Sequence, residues 1–293
     1  MQDIPQFLVD GFLLGGLYML ASVGLALGFG VVRFVNFAQG EMFMLGAYGA
    51  FWASHFWGFD PLVSLIPLML FGGAVGFGLF RVLSRSLVNA PHINQILVTF
   101  GFGLILQNVA LIAWSGDQRS TNPPYALTSL QLWHGMLFVP VGRLVACAAA
   151  LVLVALLFVW LKYSELGRAS RALSENRMAA TLMGIPVERM YALTFGVSVA
   201  LGVATGVLIS SVFPIAPFMG FDLLIKGFAV IVLGGMGSIL GAVAGAFILA
   251  YGETFFAYYV PDGTGWGEGV AFALLFLVLL FRPRGLLGQA VEA

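Results

Sequence analysis

Charge is scarce in this sequence: 13 basic and 13 acidic side chains in 293 residues, 9% of the chain, with a net charge of zero. So thin and balanced a set leaves no basic patch for nucleic acid. The single Cys147 excludes an intramolecular disulfide, and its apolar surroundings in the sequence make it a packing residue. His55, His92 and His134 are too scattered to share a metal, and neither an HExxH helix nor a nucleophile elbow is present. The first apolar stretch is flanked by Asp3 and Asp10 rather than by basic residues, which is not the pattern of a cleavable signal peptide.

What the chain has in abundance is apolar surface. At 60% hydrophobic content and a mean hydropathy of +1.00, it holds more than a soluble domain could hide. The expected fold is an all-α, polytopic membrane helical bundle forming one transmembrane domain over residues 1–293. About 20 residues cross a ~30 Å hydrocarbon core. Runs of that order occupy residues 7–32, 37–56, 62–80, 93–114, 136–161, 190–213 and 267–281. A longer run, 223–259, is interrupted by Gly234, Gly235, Met236, Gly237 and Ser238, so it reads as a short or re-entrant piece followed by a full span. Eight spans plus a broken segment result.

The polar exception is the stretch 162–189, with five basic and three acidic residues. A segment this polar must sit in water between two spans. Ser174 reads as the N-cap of a short helix, and Gly184 followed by Pro186 as its stop. Met178, Ala179, Leu182 and Met183 share one side of that helix. Two readings stand for it: a docking element for a soluble partner, or an interfacial anchor. Arg33, Arg81, Arg85, the five basic residues of 162–189, Arg282 and Arg284 fall at one end of the bundle. Asp3, Asp60, Asp117, Asp222, Asp262 and Glu268 fall at the other. By the positive-inside rule the basic end is cytoplasmic.

Two further stretches carry candidate path residues. Asn36, Gln39 and Glu41 are polar groups set against apolar helix ends, which fits either a translocation pathway or a capped cytoplasmic turn. Gly234, Gly235, Gly237 and Ser238 break a helix where an unwound backbone could meet a substrate. Gly237, Gly241 and Gly245 also recur with the four-residue spacing that lets helix backbones touch, and packing is the default role of these glycines. No Lys-Ser or Lys-Thr follows them, so this is not a phosphate loop. Lys226 and Glu253, in or near spans, either pair, line a pore or snorkel to an interface; snorkelling is the default. The connection 116–135, broken by Pro123 and Pro124, reads as a plain loop.

Four segments in order, 16–48 (GLYMLASVGLALGFGVVRFVNFAQGEMFMLGAY), 167–185 (GRASRALSENRMAATLMGI), 226–246 (KGFAVIVLGGMGSILGAVAGA) and 279–288 (LLFRPRGLLG), make the chain resemble the shorter permease subunit of branched-chain amino acid ABC importers. The resemblance implies a helical permease paired with a second, related permease. It also implies two cytoplasmic ATPase subunits that bind ATP and Mg, an extracytoplasmic solute-binding protein, and residence in a bacterial inner membrane, with no cofactor on this chain. It raises the docking reading of 162–189, where Ala179, Ala180 and Gly184 keep the end of the coupling motif while Met178 stands at its Glu position. The implied ATPase-coupling residues are Arg168, Arg171, Glu175, Asn176, Met178, Ala179, Leu182 and Gly184. The implied cargo is a branched-chain or other apolar amino acid, with urea or a short amide as the alternative in the same family. The rivals are a self-sufficient secondary transporter, an intramembrane enzyme and a membrane scaffold.

Overall fold

The computed structural model describes residues 4–87, 90–132, 137–282 and 285–288, with residues 83–87 and 264 described by backbone alone. Asp3, His134 and Arg284, used above, lie outside the described residues, as does the Arg85 side chain. The chain is helical nearly throughout. Helix α1, Ile4–Leu27, runs into a π-helical turn at Gly28–Val32. Helices α2 (Gln39–Trp57), α3 (Pro61–Leu87) and α4 (His92–Trp114) follow. Next come α5 (Val141–Tyr163), two short helices α6 (Glu165–Glu175) and α7 (Arg177–Leu182), and α8 (Val187–Ile209). Helices α9 (Met219–Gly234), α10 (Ile239–Tyr259) and α11 (Gly267–Phe281) complete the set. Pro91, Pro140 and Pro186 stand just before α4, α5 and α8, where a missing N–H costs the helix nothing.

Six of these helices are long and apolar enough to cross a bilayer. Helices α2, α9 and α11 are shorter or less apolar, at 19, 16 and 15 residues. The long run is broken, as its glycines suggest, into α9 and α10. Two expectations fail: the stretch 116–135, read as a plain loop, contains strand β1 (Ser129–Leu132), and the run 136–161, read as a span, opens with its antiparallel partner β2 (Leu137–Pro140), so that the helix starts only at Val141. Residues 137–140 are apolar enough to extend the hydropathy run of the following helix, although they pair as a strand. In the same region the Tyr125 hydroxyl donates to Asp60 Oδ1 at 2.9 Å. Burial, reinforced by that carboxylate, holds the Tyr125 phenol above its ordinary range, so it stays a donor.

Position in the bundle follows from burial. In their membrane-crossing windows α1 and α8 are 83% buried, against 22% for α3 and 17% for α4, so α1 and α8 form the centre and α3 and α4 the periphery. Small residues set the spacing at the centre. A methyl on Gly46 would clash with Val203 O, and one on Gly206 with Phe43 O, so α2 and α8 cross backbone to backbone. Gly206→Ala should therefore lower the melting temperature in detergent, at a cost of about 1–3 kcal/mol or more. Gly78→Ala, with nothing within 4 Å, should melt as wild type; equal melting of the two variants would contradict this packing.

Candidate functional site

The polar stretch 162–189 folds as two short helices rather than one. Ser164 caps α6 by accepting from the Gly167 N–H at 2.9 Å, and Asn176 caps α7 by accepting from the Ala179 N–H at 3.0 Å. The expected cap at Ser174 is thereby corrected: Ser174 lies inside α6, and its hydroxyl donates to Arg171 O. Asn176 is the residue that leaves helical geometry, at φ −149° and ψ 103°, so its side chain is placed to cap. The stop at Gly184 holds, with φ +80° and the Ile185 N–H returning to Ala180 O at 3.1 Å.

This element is seated firmly and exposed on one side. Gly167 abuts the Leu161 backbone, Leu173 and Ala180 are buried, and the Ser170 hydroxyl lies 3.1 Å from Thr194 Oγ1 of α8. Met178, Leu182 and Met183 are 76%, 83% and 83% exposed, and Ala179 is exposed beside them. Arg168, Glu175 and Asn176 are exposed around this face, and Arg171 donates to Lys162 O at 3.3 Å. An apolar face held out on a rigid seat is suited to docking.

The segment 33–38 is not a surface turn. The helix ends at Arg33, whose φ of +53° turns the chain, and irregular residues with a turn at 37–38 follow before α2 begins. Its backbone donors are met by α4: the Val35 N–H donates to Gln95 Oε1 at 3.4 Å and the Phe37 N–H to Thr99 Oγ1 at 3.1 Å. Asn36 accepts from the Ala38 N–H and donates to Gln39 Oε1, and Gln39 Nε2 donates to Ser198 O at 2.8 Å. Ser198 is the midpoint of α8, so Gln39 sits at mid-height. Glu41 is buried against Gly103, the midpoint of α4, and its Oε2 has no hydrogen-bond partner among the described residues. Irregular backbone at this depth survives only where protein groups satisfy it. The sequence reading missed the α4 side of this arrangement. Gln95, Thr99, Gly103 and Gln107 fall every fourth residue on one buried face of an otherwise exposed helix, a stripe visible in the sequence.

The glycine break lies elsewhere. Gly234 packs on the Gly241 backbone, Gly235 (φ +107°) meets Gly288, and Ser238 caps α10 by accepting from the Gly241 N–H. The Leu286 and Leu287 N–H groups donate to Leu233 O and Gly234 O at 2.9 Å. Gly237 approaches Gly30, and with Ser238 it shares a cavity with Lys162, Arg171 and Ser174, at the basic end. Gly40 instead touches α9 at Gly220, 14 residues before Gly234, or about 21 Å along the helix. Asn36, Gln39 and Glu41 thus form one cluster, while Gly234, Gly235, Gly237 and Ser238 form a separate packed turn.

Lys226 and Glu253 do not snorkel apart. Lys226 Nζ lies 3.0 Å from Glu253 Oε2 and 2.8 Å from the Tyr18 hydroxyl, which itself donates to Glu253 Oε2 at 2.7 Å. The pair is the low-cost state for two charges at this depth. No group of three His, Cys, Asp or Glu placed to hold a metal occurs among the described residues.

A multi-pass helical bundle with an unwound polar segment reaching mid-height and an exposed apolar face at its basic end is the build of a membrane transport protein. More narrowly, the chain belongs to the permease family of branched-chain amino acid ABC transport systems. The family model described as "Branched-chain amino acid transport system / permease component" matches residues 7–279. The high-affinity branched-chain amino acid permease LivH of Salmonella typhimurium is 32% identical, over 97% of this chain and 95% of its own. BraD of Pseudomonas aeruginosa, with the same description, is also 32% identical over the same shares. A more distant relative, LivM of Escherichia coli, is 26% identical over 95% of this chain and 69% of its own. No solved structure matches the chain.

Replacing Thr99 by Val should orphan the Phe37 N–H, a cost of about 1–3 kcal/mol for a buried donor. Hydrogen exchange should then quicken at Phe37 while amides in the middle of α8 keep their protection. Unchanged exchange at Phe37 would show that Thr99 does not hold the unwound segment.

Proposed function

We propose that this chain is the translocation subunit of an ATP-driven importer for branched-chain or other apolar amino acids in a bacterial cytoplasmic membrane. It works with a second, related permease, two cytoplasmic ATPase subunits and an extracytoplasmic solute-binding protein. ATP and Mg belong to the ATPases, and this chain binds no cofactor and catalyses no reaction of its own. The observation that carries the proposal is the exposed Met178–Leu182–Met183 face on α7, seated through α6 on the central helix α8. The cargo follows from relatives named for branched-chain amino acid transport. LivH and LivM, both similar to this chain, suggest the paired permease.

Delivery begins at the acidic, outer end, where the binding protein releases its cargo. Closure of the ATPases displaces α7, and α6 passes the displacement to α8 through Leu173 and the Ser170–Thr194 contact. Helices α2 and α3 pack on α8, so the spans rock and the path opens to alternate sides. Asn36, Gln39 and Glu41 line that path at mid-height.

Co-purification tests the docking face. The wild-type chain should bring the ATPase subunits down, and Met178→Asp with Leu182→Asp should lose them at least about tenfold while still inserting, since a charge in an apolar interface costs more than 1.4 kcal/mol. Retention of the ATPases by that variant would reduce the segment to an interfacial anchor.

A further inference from the structure

The cavity beside Lys226 and Glu253 carries more polar chemistry than one structural ion pair requires. It measures about 300 Å³ and lies among α1, α5, α9, α10 and the start of α11. Its deep layer is Tyr18, Lys226 and Glu253. Its outer layer is Asp10, Arg143 and Tyr258, with Arg143 Nη1 at 3.8 Å from Asp10 Oδ1 and Tyr258 donating to Asp10 Oδ2. Eight residues of α1 separate Asp10 from Tyr18, about 12 Å of helix. Leu13, Leu14, Leu17 and Phe213 wall the space.

Both partners of the deep pair keep capacity that the pair does not use. Glu253 offers Oε2 to both Tyr18 and Lys226, while its Oε1, buried, meets no donor among the described residues. An ammonium has three protons, and two of those on Lys226 are directed at Tyr18 and Glu253. Glu253 Oε2 and Lys226 Nζ thus stand 3.0 Å apart beside the cavity, against an apolar wall. Adjacent charges of both signs joined to an apolar side chain describe an α-amino acid.

We infer that this cavity is an α-amino-acid binding site within the permease, entered from the outer end. The substrate ammonium sits on the Glu253 carboxylate at Oε2, its carboxylate on Lys226 Nζ, and its side chain on the leucines of α1 and Phe213. Asp10 and Arg143 form a first zwitterion station about 12 Å nearer the mouth. The inference rests on the proposed amino-acid cargo and adds where this chain holds it. A purely structural pair would need no cavity of this size beside it, nor a second pair, Asp10 and Arg143, lining the same space.

Uptake of radiolabelled leucine and a panel of other α-amino acids by the complete transporter in ATP-loaded proteoliposomes tests it, with two variants. Lys226→Glu with Glu253→Lys keeps an ion pair but reverses its polarity. Gly267→Val fills the cavity: a Cβ there lies 3.6 Å from Lys226 Nζ, and the residue has ordinary helical φ of −50°. Uptake should fall about tenfold or more in both, the weight of one charge-assisted hydrogen bond, with ATPases still co-purifying. Wild-type uptake by the charge-reversed pair would make the pair structural and overturn the inference. Should that variant fail to assemble, wild-type uptake by Gly267→Val overturns it alone. A wild-type complex that takes up no amino acid would instead overturn the proposed cargo.

Discussion

The non-helical backbone of residues 33–38, which climbs from beside Gln95 near the start of α4 to Gly103 at its midpoint, is the constraint on which the rest of the structure depends. Where this segment enters the bundle its N–H groups find no water and are met by protein instead. Gln95 and Thr99 reach Val35 and Phe37 from α4, Asn36 closes on Ala38, and Gln39 ties the start of α2 to Ser198 of α8. Those bonds also explain how α4, so little buried, is held to the bundle: a polar and small-residue stripe faces inward while its apolar faces turn out. The usual soluble pattern is inverted, as expected for a helix whose outer solvent is lipid.

Two other devices hold the frame around this break. Glycines bring α2 against α8 and α9 against α10 at backbone distance. The Tyr18–Lys226–Glu253 triad joins α1, α9 and α10 through charge. With α6 clamped onto the same central α8, the exposed apolar face of α7, the unwound segment and the charged cavity all border helices of one connected core. Motion at α7 thus has a short mechanical route to the mid-height polar cluster.

The sequence made the spans legible because hydropathy reports length and transfer energy directly. The basic stretch 162–189 and its exposed Met178 and Leu182 were legible for the same reason, since charge cannot stay in lipid. Depth was not legible. Asn36, Gln39 and Glu41 read equally well as a capped surface turn, because composition does not say whether the next helix starts at the interface or halfway up. The Ser174 cap failed because capping depends on which residue leaves the helix, and Asn176 does so one residue after α6 ends. Lys226 and Glu253 lie 27 residues apart, so their pairing depends on how α9 and α10 turn back on each other, which no local pattern encodes. The strand at 137–140 hid in an apolar run, where periodicity cannot separate a short strand from the first turn of a span.

The proposed function requires that this chain move amino acids inward only when driven by partner ATPases. Leucine uptake into proteoliposomes holding the complete transporter, with lumenal ATP and external binding protein added or withheld in turn, addresses it most directly. The account predicts uptake only when both are present. Uptake by this chain alone in ATP-free vesicles would contradict it and mark the protein as a self-sufficient secondary transporter.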